Sequence, residues 1–176
     1  MQITNHKSQI TNPFIVLCTL YFVLLFSSCK INYGFSGATT DAKTATVIYF
    51  QNQASLAKPT VSQTFTEAMK DILQSQGKVD LVDKGGEIQF EGQVTGYAVA
   101  PVALQSNDQS SANRLTITVF VKFTNTKEGS KNFETSFSRY ADFPSSQNLS
   151  SVEDQLIKDI TDQLVQDIFN RALSDW

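Results

Sequence analysis

Residues 87–98 alternate between polar and apolar side chains without a break. Successive side chains of a strand point to opposite faces, whereas a helix repeats every 3.6 residues. A period of two over this length therefore admits only an extended strand, roughly 40 Å long, with one covered and one wet face. Ile88, Phe90, Gly92, Val94, Gly96 and Ala98 are expected on the covered face, and Glu87, Gln89, Glu91, Gln93, Thr95 and Tyr97 on the wet one. Gly92 and Gly96 mark points where a helix comes close or the strand bends. A strand of that kind needs neighbours and a cover.

The neighbours are visible in the same periodicity. Leu115, Ile117, Val119, Val121 and Phe123 define one face of a second long strand, opposite Thr116, Thr118, Phe120, Lys122 and Thr124. A turn at Lys127-Glu128-Gly129 leads to a third strand over residues 133–140, and these strands form an antiparallel meander. Residues 46–50, Thr-Val-Ile-Tyr-Phe, predict a strand buried on both faces, and residues 79–82 a short one before the Lys84-Gly85-Gly86 turn. The loop over residues 101–113 has no period.

Two helices supply the cover. Val61, Phe65, Ala68, Met69, Ile72 and Leu73 recur at helical spacing, with Thr60 as the expected cap and Gly77 as the left-handed stop. Ser150-Ser151-Val152-Glu153 predicts a capping box, followed by a stripe of Leu156, Ile157, Ile160, Leu164, Ile168, Phe169 and Leu173 that ends at Trp176. The fold class is α+β: a two-layer α/β sandwich whose mainly antiparallel sheet of about four strands carries both helices on one face. The open face is rich in Gln, Thr and Ser, and only 18% of the chain is charged against a typical quarter, which suits a wet, hydrogen-bonded contact surface.

Ahead of this pattern lies a different signal. Residues 14–26 form a short apolar run preceded by Lys7 and followed by Ser27-Ser28-Cys29. As a helix the run would span about 20 Å, well short of a hydrocarbon layer of roughly 30 Å. It is expected to be a lipoprotein signal peptide over residues 1–28, cut between Ser28 and Cys29, with Cys29 acylated. The other reading is an ordinary signal cleaved nearby, with Cys29 incidental. Residues 29–45 would then be the lipidated tether and residues 46–176 one domain.

Cleavage there would remove the only histidine, His6, and Cys18, and acylation would block Cys29. What remains has no general-base imidazole, no thiol nucleophile, no usual zinc or copper ligand and no disulfide, and Gly85-Gly86 precedes a strand, so it is no phosphate-binding loop. The expectation is a non-enzyme without cofactor or metal. With 13 basic and 17 acidic residues after position 28, no nucleic-acid role fits either.

Several short motifs in a fixed order resemble a known family. They are Cys29 followed by Tyr33-Gly34-Phe35-Ser36-Gly37, then Phe65-Thr66-Glu67-Ala68 and residues 90–97, Phe-Glu-Gly-Gln-Val-Thr-Gly-Tyr. Asn113-Arg114-Leu115-Thr116-Ile117, Asn132-Phe133-Glu134 and Asp167-Ile168-Phe169-Asn170 with Trp176 complete the set. Together they resemble the lipopolysaccharide-assembly lipoproteins of the LptE type in their Bacteroidetes version. The resemblance implies a lipoprotein held in the outer membrane by its acyl chains and facing the periplasm. It also implies that the globular part plugs, and helps assemble, a large β-barrel that inserts lipopolysaccharide into the outer leaflet. Lys30 after Cys29 is not the aspartate that retains lipoproteins in the inner membrane of enteric bacteria, and no acidic surface-export run follows. The competing reading is a free-standing periplasmic lipoprotein that binds a soluble ligand or inhibits an enzyme.

The family's affinity for lipopolysaccharide suggests a further expectation: Arg114, Lys122, Lys131 and Arg139, on neighbouring strands, converge on a lipid A phosphate. Ordinary sheet-surface charges are the plainer account of the same residues.

Overall fold

The computed structural model describes residues 41–102 and 111–173, all within one compact unit, Ser36–Trp176. The signal peptide, Cys29, most of the tether, the centre of the 101–113 loop and Trp176 lie outside the described residues. The elements are β1 (Thr44–Val47), β2 (Gln51–Asn52), α1 (Thr60–Ile72), β3 (Asp80–Leu81), β4 (Ile88–Val102), β5 (Ala112–Asn125), β6 (Phe133–Pro144) and α2 (Leu149–Leu173).

The sheet is wider than expected and mixed. Among the described residues it has six strands in the order β3-β1-β4-β5-β6, with β2 continuing beside β4 beyond β1. β4, β5 and β6 make the antiparallel meander, in register from Ile88↔Asn125 to Val102↔Ala112 and from Phe123↔Phe133 to Ala112↔Pro144. Residues 101, 102, 112 and 113 are thus ladder residues, not loop. β1, β2 and β3 are parallel to their partners. β1 also begins at Thr44, two residues inside the segment read as tether.

Parallel pairing on both sides of β1 forces the chain to cross it between β3 and β4, and residues 82–87 do so as a strap over the β1 backbone. Thr46 Oγ1 donates to the Val82 carbonyl at 3.0 Å and accepts the Gly86 amide at 3.0 Å. Gly86 is required by this close approach, since a Cβ there would lie 2.6 Å from the Thr46 nitrogen. Gly85 makes the preceding turn at φ +74°.

The helices pack on one face of the sheet, as the periodicity predicts, and Phe65, Met69, Leu73, Ile160, Leu164 and Ile168 are fully buried with Leu115, Ile117 and Phe123. An aromatic row crosses the same layer, Phe90 to Phe123 at 4.9 Å between ring centroids and Phe123 to Phe133 at 5.3 Å. Each fully buried phenylalanine contributes about 2–3 kcal/mol.

The helix ends differ from expectation in detail. Pro59, not Thr60, is the α1 N-cap, and no side chain caps it. A π-helical turn, Leu73–Gly77, adds a residue after α1, which moves the left-handed position to Lys78 at φ 52°. A Cβ on Gly77 would lie 3.4 Å from Phe169 Cε2. Asn148 caps α2 through its Oδ1, which accepts the Ser150 amide, and Glu153 is used elsewhere.

Two bulges redirect side chains. On β4, Val94 faces Val119 but Gly96 faces Thr118, leaving Thr95 as an inserted residue. Beyond it every side chain changes face, so Tyr97 is buried and Gly96 and Ala98 look outward, the reverse of the alternation expected from sequence. Between β1 and β2 the chain advances from Val47↔Phe90 to Gln51↔Gln93, one residue more than β4. The amide this frees on Phe50 donates to Thr66 Oγ1 of α1 at 3.1 Å. Phe50 turns inward against Phe65, while Ile48 and Tyr49 are left 46% and 54% exposed. Residues 46–50 are therefore not buried on both faces.

Candidate functional site

The surface of interest is the open face of the sheet, because the helix layer covers the other. Its rows come from β4 (Gln89, Glu91 and Gln93, then Gly96 and Ala98), β5 (Thr116, Thr118, Phe120, Lys122) and β6 (Glu134, Ser136, Ser138, Tyr140). Hydroxyls and amides dominate, and cross-strand contacts such as Thr118 Oγ1 to Ser138 Oγ at 3.0 Å order them.

The cations on this face are paired in place. Arg114 holds Asp142 through two bonds, Nε to Oδ1 at 2.7 Å and Nη2 to Oδ2 at 2.8 Å, with its guanidinium 3.6 Å from the centre of the Tyr140 ring. The bidentate pair drives the two pKa values apart: the hydrogen bond to Arg114 lowers that of Asp142, and the bond to Asp142 raises that of Arg114. Lys122 pairs with Glu91 at 2.7 Å, and this hydrogen bond raises the lysine pKa, with Glu134 adding a smaller push in the same direction.

The four cations singled out from sequence do not come together. Arg114 and Lys122 share the open face but stand eight residues apart on β5, roughly 27 Å. Arg139 faces Ile117 across the ladder and so projects to the helix side, where it grips Asp167 of α2 at 2.5 and 2.9 Å. Lys131 belongs to the 3-10 turn Gly129–Lys131 and pairs with Glu128 at 3.1 Å. Parity within a strand is readable from sequence; the β5–β6 register that decides which face Arg139 takes is not.

One polar cluster escaped the sequence reading. The Tyr97 hydroxyl donates to Glu153 Oε1 at 2.5 Å, and Lys58 Nζ meets Glu153 Oε2 at 2.7 Å. Burial first, and the carboxylate second, raise the Tyr97 pKa, so the phenol keeps the proton it donates. The cluster joins β4 beyond its bulge, the first turns of α2 and the loop before α1. A signal was present: Glu153 stands four residues before Ile157, in the apolar stripe, where a carboxylate must be paired. Among the described residues no three His, Cys, Asp or Glu side chains group as metal ligands, and no helix is long and apolar enough to cross a membrane.

Comparison with known proteins gives a family match over almost all of this unit. The family described as LptE, Lipopolysaccharide-assembly, matches residues 42–172. No curated protein matches the chain. Among solved structures, protein XCC0632 from Xanthomonas campestris is similar in fold with a TM-score of 0.52 at 8% identity, covering 78% of this chain and 87% of that one. A minor lipoprotein from Acinetobacter baumannii is 15% identical with a TM-score of 0.48, covering 74% and 91%. The rare lipoprotein B from Shewanella oneidensis is 10% identical with a TM-score of 0.46, covering 72% and 91%.

Proposed function

Because the chain belongs to the LptE family of lipopolysaccharide-assembly proteins, we propose that it is the lipid-anchored plug and assembly partner of the outer-membrane β-barrel that passes lipopolysaccharide to the outer leaflet. The observation that carries this reading is the family match from residue 42 to residue 172, the whole sheet and both helices. The family is one of non-enzymatic lipoproteins, and its general role, lipopolysaccharide assembly, is this chain's role. The open sheet face supports the finer reading. Its hydroxyls, amides and internally paired charges suit a polar, water-filled lumen.

The anchor in this reading is diacylglyceryl on Cys29 after cleavage behind Ser28, with the domain facing the periplasm. Two or more acyl chains make such attachment lasting, where one gives only marginal binding.

Purification of the full-length protein from lightly solubilised membranes of its own bacterium tests the whole. The expected result is a fixed ratio with one outer-membrane barrel of much larger mass, and an amino-terminal Cys29 carrying acyl mass. Recovery of the protein alone favours instead a free-standing ligand-binding or inhibitory lipoprotein.

A further inference from the structure

The Ile48-Tyr49 knuckle is the least expected surface in the molecule. Its sequence is that of a core strand, yet the bulge between β1 and β2 turns both side chains outward, and the bond from the Phe50 amide to Thr66 holds that conformation from within. The knuckle divides two depressions on the open face. One, of about 370 Å³, is lined by Glu91, Gln93, Phe120 and Lys122; the other, of about 510 Å³, by Thr46, Lys84 and Gln89. Phe120 extends the apolar spot from β5 toward the centre of the sheet.

We propose that Ile48, Tyr49 and Phe120 are the apolar centre of the contact with the barrel partner, packed against an uncharged, strand-built stretch of its inner wall. This rests on the function proposed above and says which face of the domain meets the wall. Two physical arguments choose the occupant. A non-polar centre ringed by polar side chains, here the amides of Gln51, Gln89 and Gln93 and the paired charges of Glu91 and Lys122, is the anatomy of a protein contact. Charge decides against a phosphate-bearing lipid: the cation beside the spot, Lys122, is held by Glu91 at 2.7 Å with Glu134 adding negative potential, so an anion arriving there gains little and must break a pair. The helix layer is a poorer surface for the same wall. The cleft between α1 and α2 is bordered by Glu67, Asp71, Asp154 and Asp162 against Lys158, which already pairs with Asp162.

The test is photocrosslinking in living cells of the source bacterium, with p-benzoylphenylalanine replacing Tyr49 in one full-length protein and Gln163, exposed on α2, in another. An adduct with the lipopolysaccharide-assembly barrel from position 49 and none from position 163 is expected. Adducts from 163 alone overturn the proposal and leave the barrel reading standing, as does a position-49 adduct that carries lipopolysaccharide in place of protein. Absence of any barrel from the co-purified wild-type protein sinks the functional reading, and this contact with it. The double variant Ile48→Ser/Tyr49→Ser gives a second measure. Both residues are exposed, so its melting temperature should stay within about 2 °C of wild type while barrel recovery falls about tenfold; full recovery overturns the proposal.

Discussion

The two halves of β4 share one pattern of alternation and are held in different ways. Residues 88–94 are hydrogen-bonded on both edges, to β1 and β2 on one side and to β5 on the other; residues 96–102 are laddered to β5 alone among the described residues. In the first half Gly92 faces the core and yields its space to the Phe50 ring. In the second, Gly96 faces outward and the core position passes to Tyr97, a polar anchor for Glu153. One inserted residue, Thr95, makes the difference. Packing by shape governs one half and a buried hydrogen bond the other.

Removing the insertion should break the comparison most severely. Deletion of Thr95 would return Tyr97 to the open face, drive Gly96 and Ala98 inward and leave Glu153 without its phenol, at a cost of about 4 kcal/mol or more. Urea unfolding measures it, and a wild-type midpoint would show that the bulge is dispensable. Next comes Gly92→Ala: the added Cβ collides with the Phe120 carbonyl oxygen and lies 2.7 Å from Phe50 Cε1. About 3 kcal/mol should be lost, since neither the β5 backbone nor a fully buried ring gives way easily.

Tyr97→Phe sharpens the other half. It keeps the ring and removes one donor from a buried carboxylate, so about 1–3 kcal/mol should disappear while the urea m-value stays constant. Gly96→Ala is the mild counterpart of Gly92→Ala. Its Cβ meets Thr118 Cβ at 3.0 Å, a contact that a few tenths of an ångström of strand movement relieves, and the stiffer unfolded chain offsets part of the strain. Less than about 1 kcal/mol is expected. A larger loss than for Gly92→Ala would reverse the assignment of the two glycines.

The smallest effect is a pH dependence at the far end of β5. The folded-state pKa of Asp142 is depressed below 3.8 by Arg114, so its contribution is complete above that value and is lost as pH falls through the depressed one. Arg114→Gln should lower the melting temperature by roughly 1–2 °C at neutral pH, and the gap should close in acid. A gap that persists at pH 2 would mean that packing on Tyr140, not charge, is what the substitution removed.

The contrast between the two halves also marks the boundary of what the amino-acid sequence discloses. The Leu115 to Phe123 face and the α2 stripe were legible because each keeps one period without a break over its whole length, and the structure buries them as read. The β4 bulge was not. Thr95 and Gly96 fit either phase of the alternation, and a change of face leaves no mark in hydropathy. Nor does alternation distinguish parallel from antiparallel pairing, so the three parallel contacts of β1 and β2 emerge only from the crossover of residues 82–87. At the open face the neutral polar composition was readable. The grouping of cations was not, since it depends on register between strands; nor was the exposure of Ile48 and Tyr49, which follows from a one-residue mismatch with β4.

The position of β1 carries a mechanical meaning. The chain before Asp41 feeds directly into a strand flanked by two others that run in its own direction. A tug from the amino-terminal side therefore strains the bonds to β3 and β4 together and lengthwise, the arrangement that yields last under force, where a peripheral hairpin would peel open one bond at a time. A domain moored by that end is built to keep its shape when its mooring is pulled.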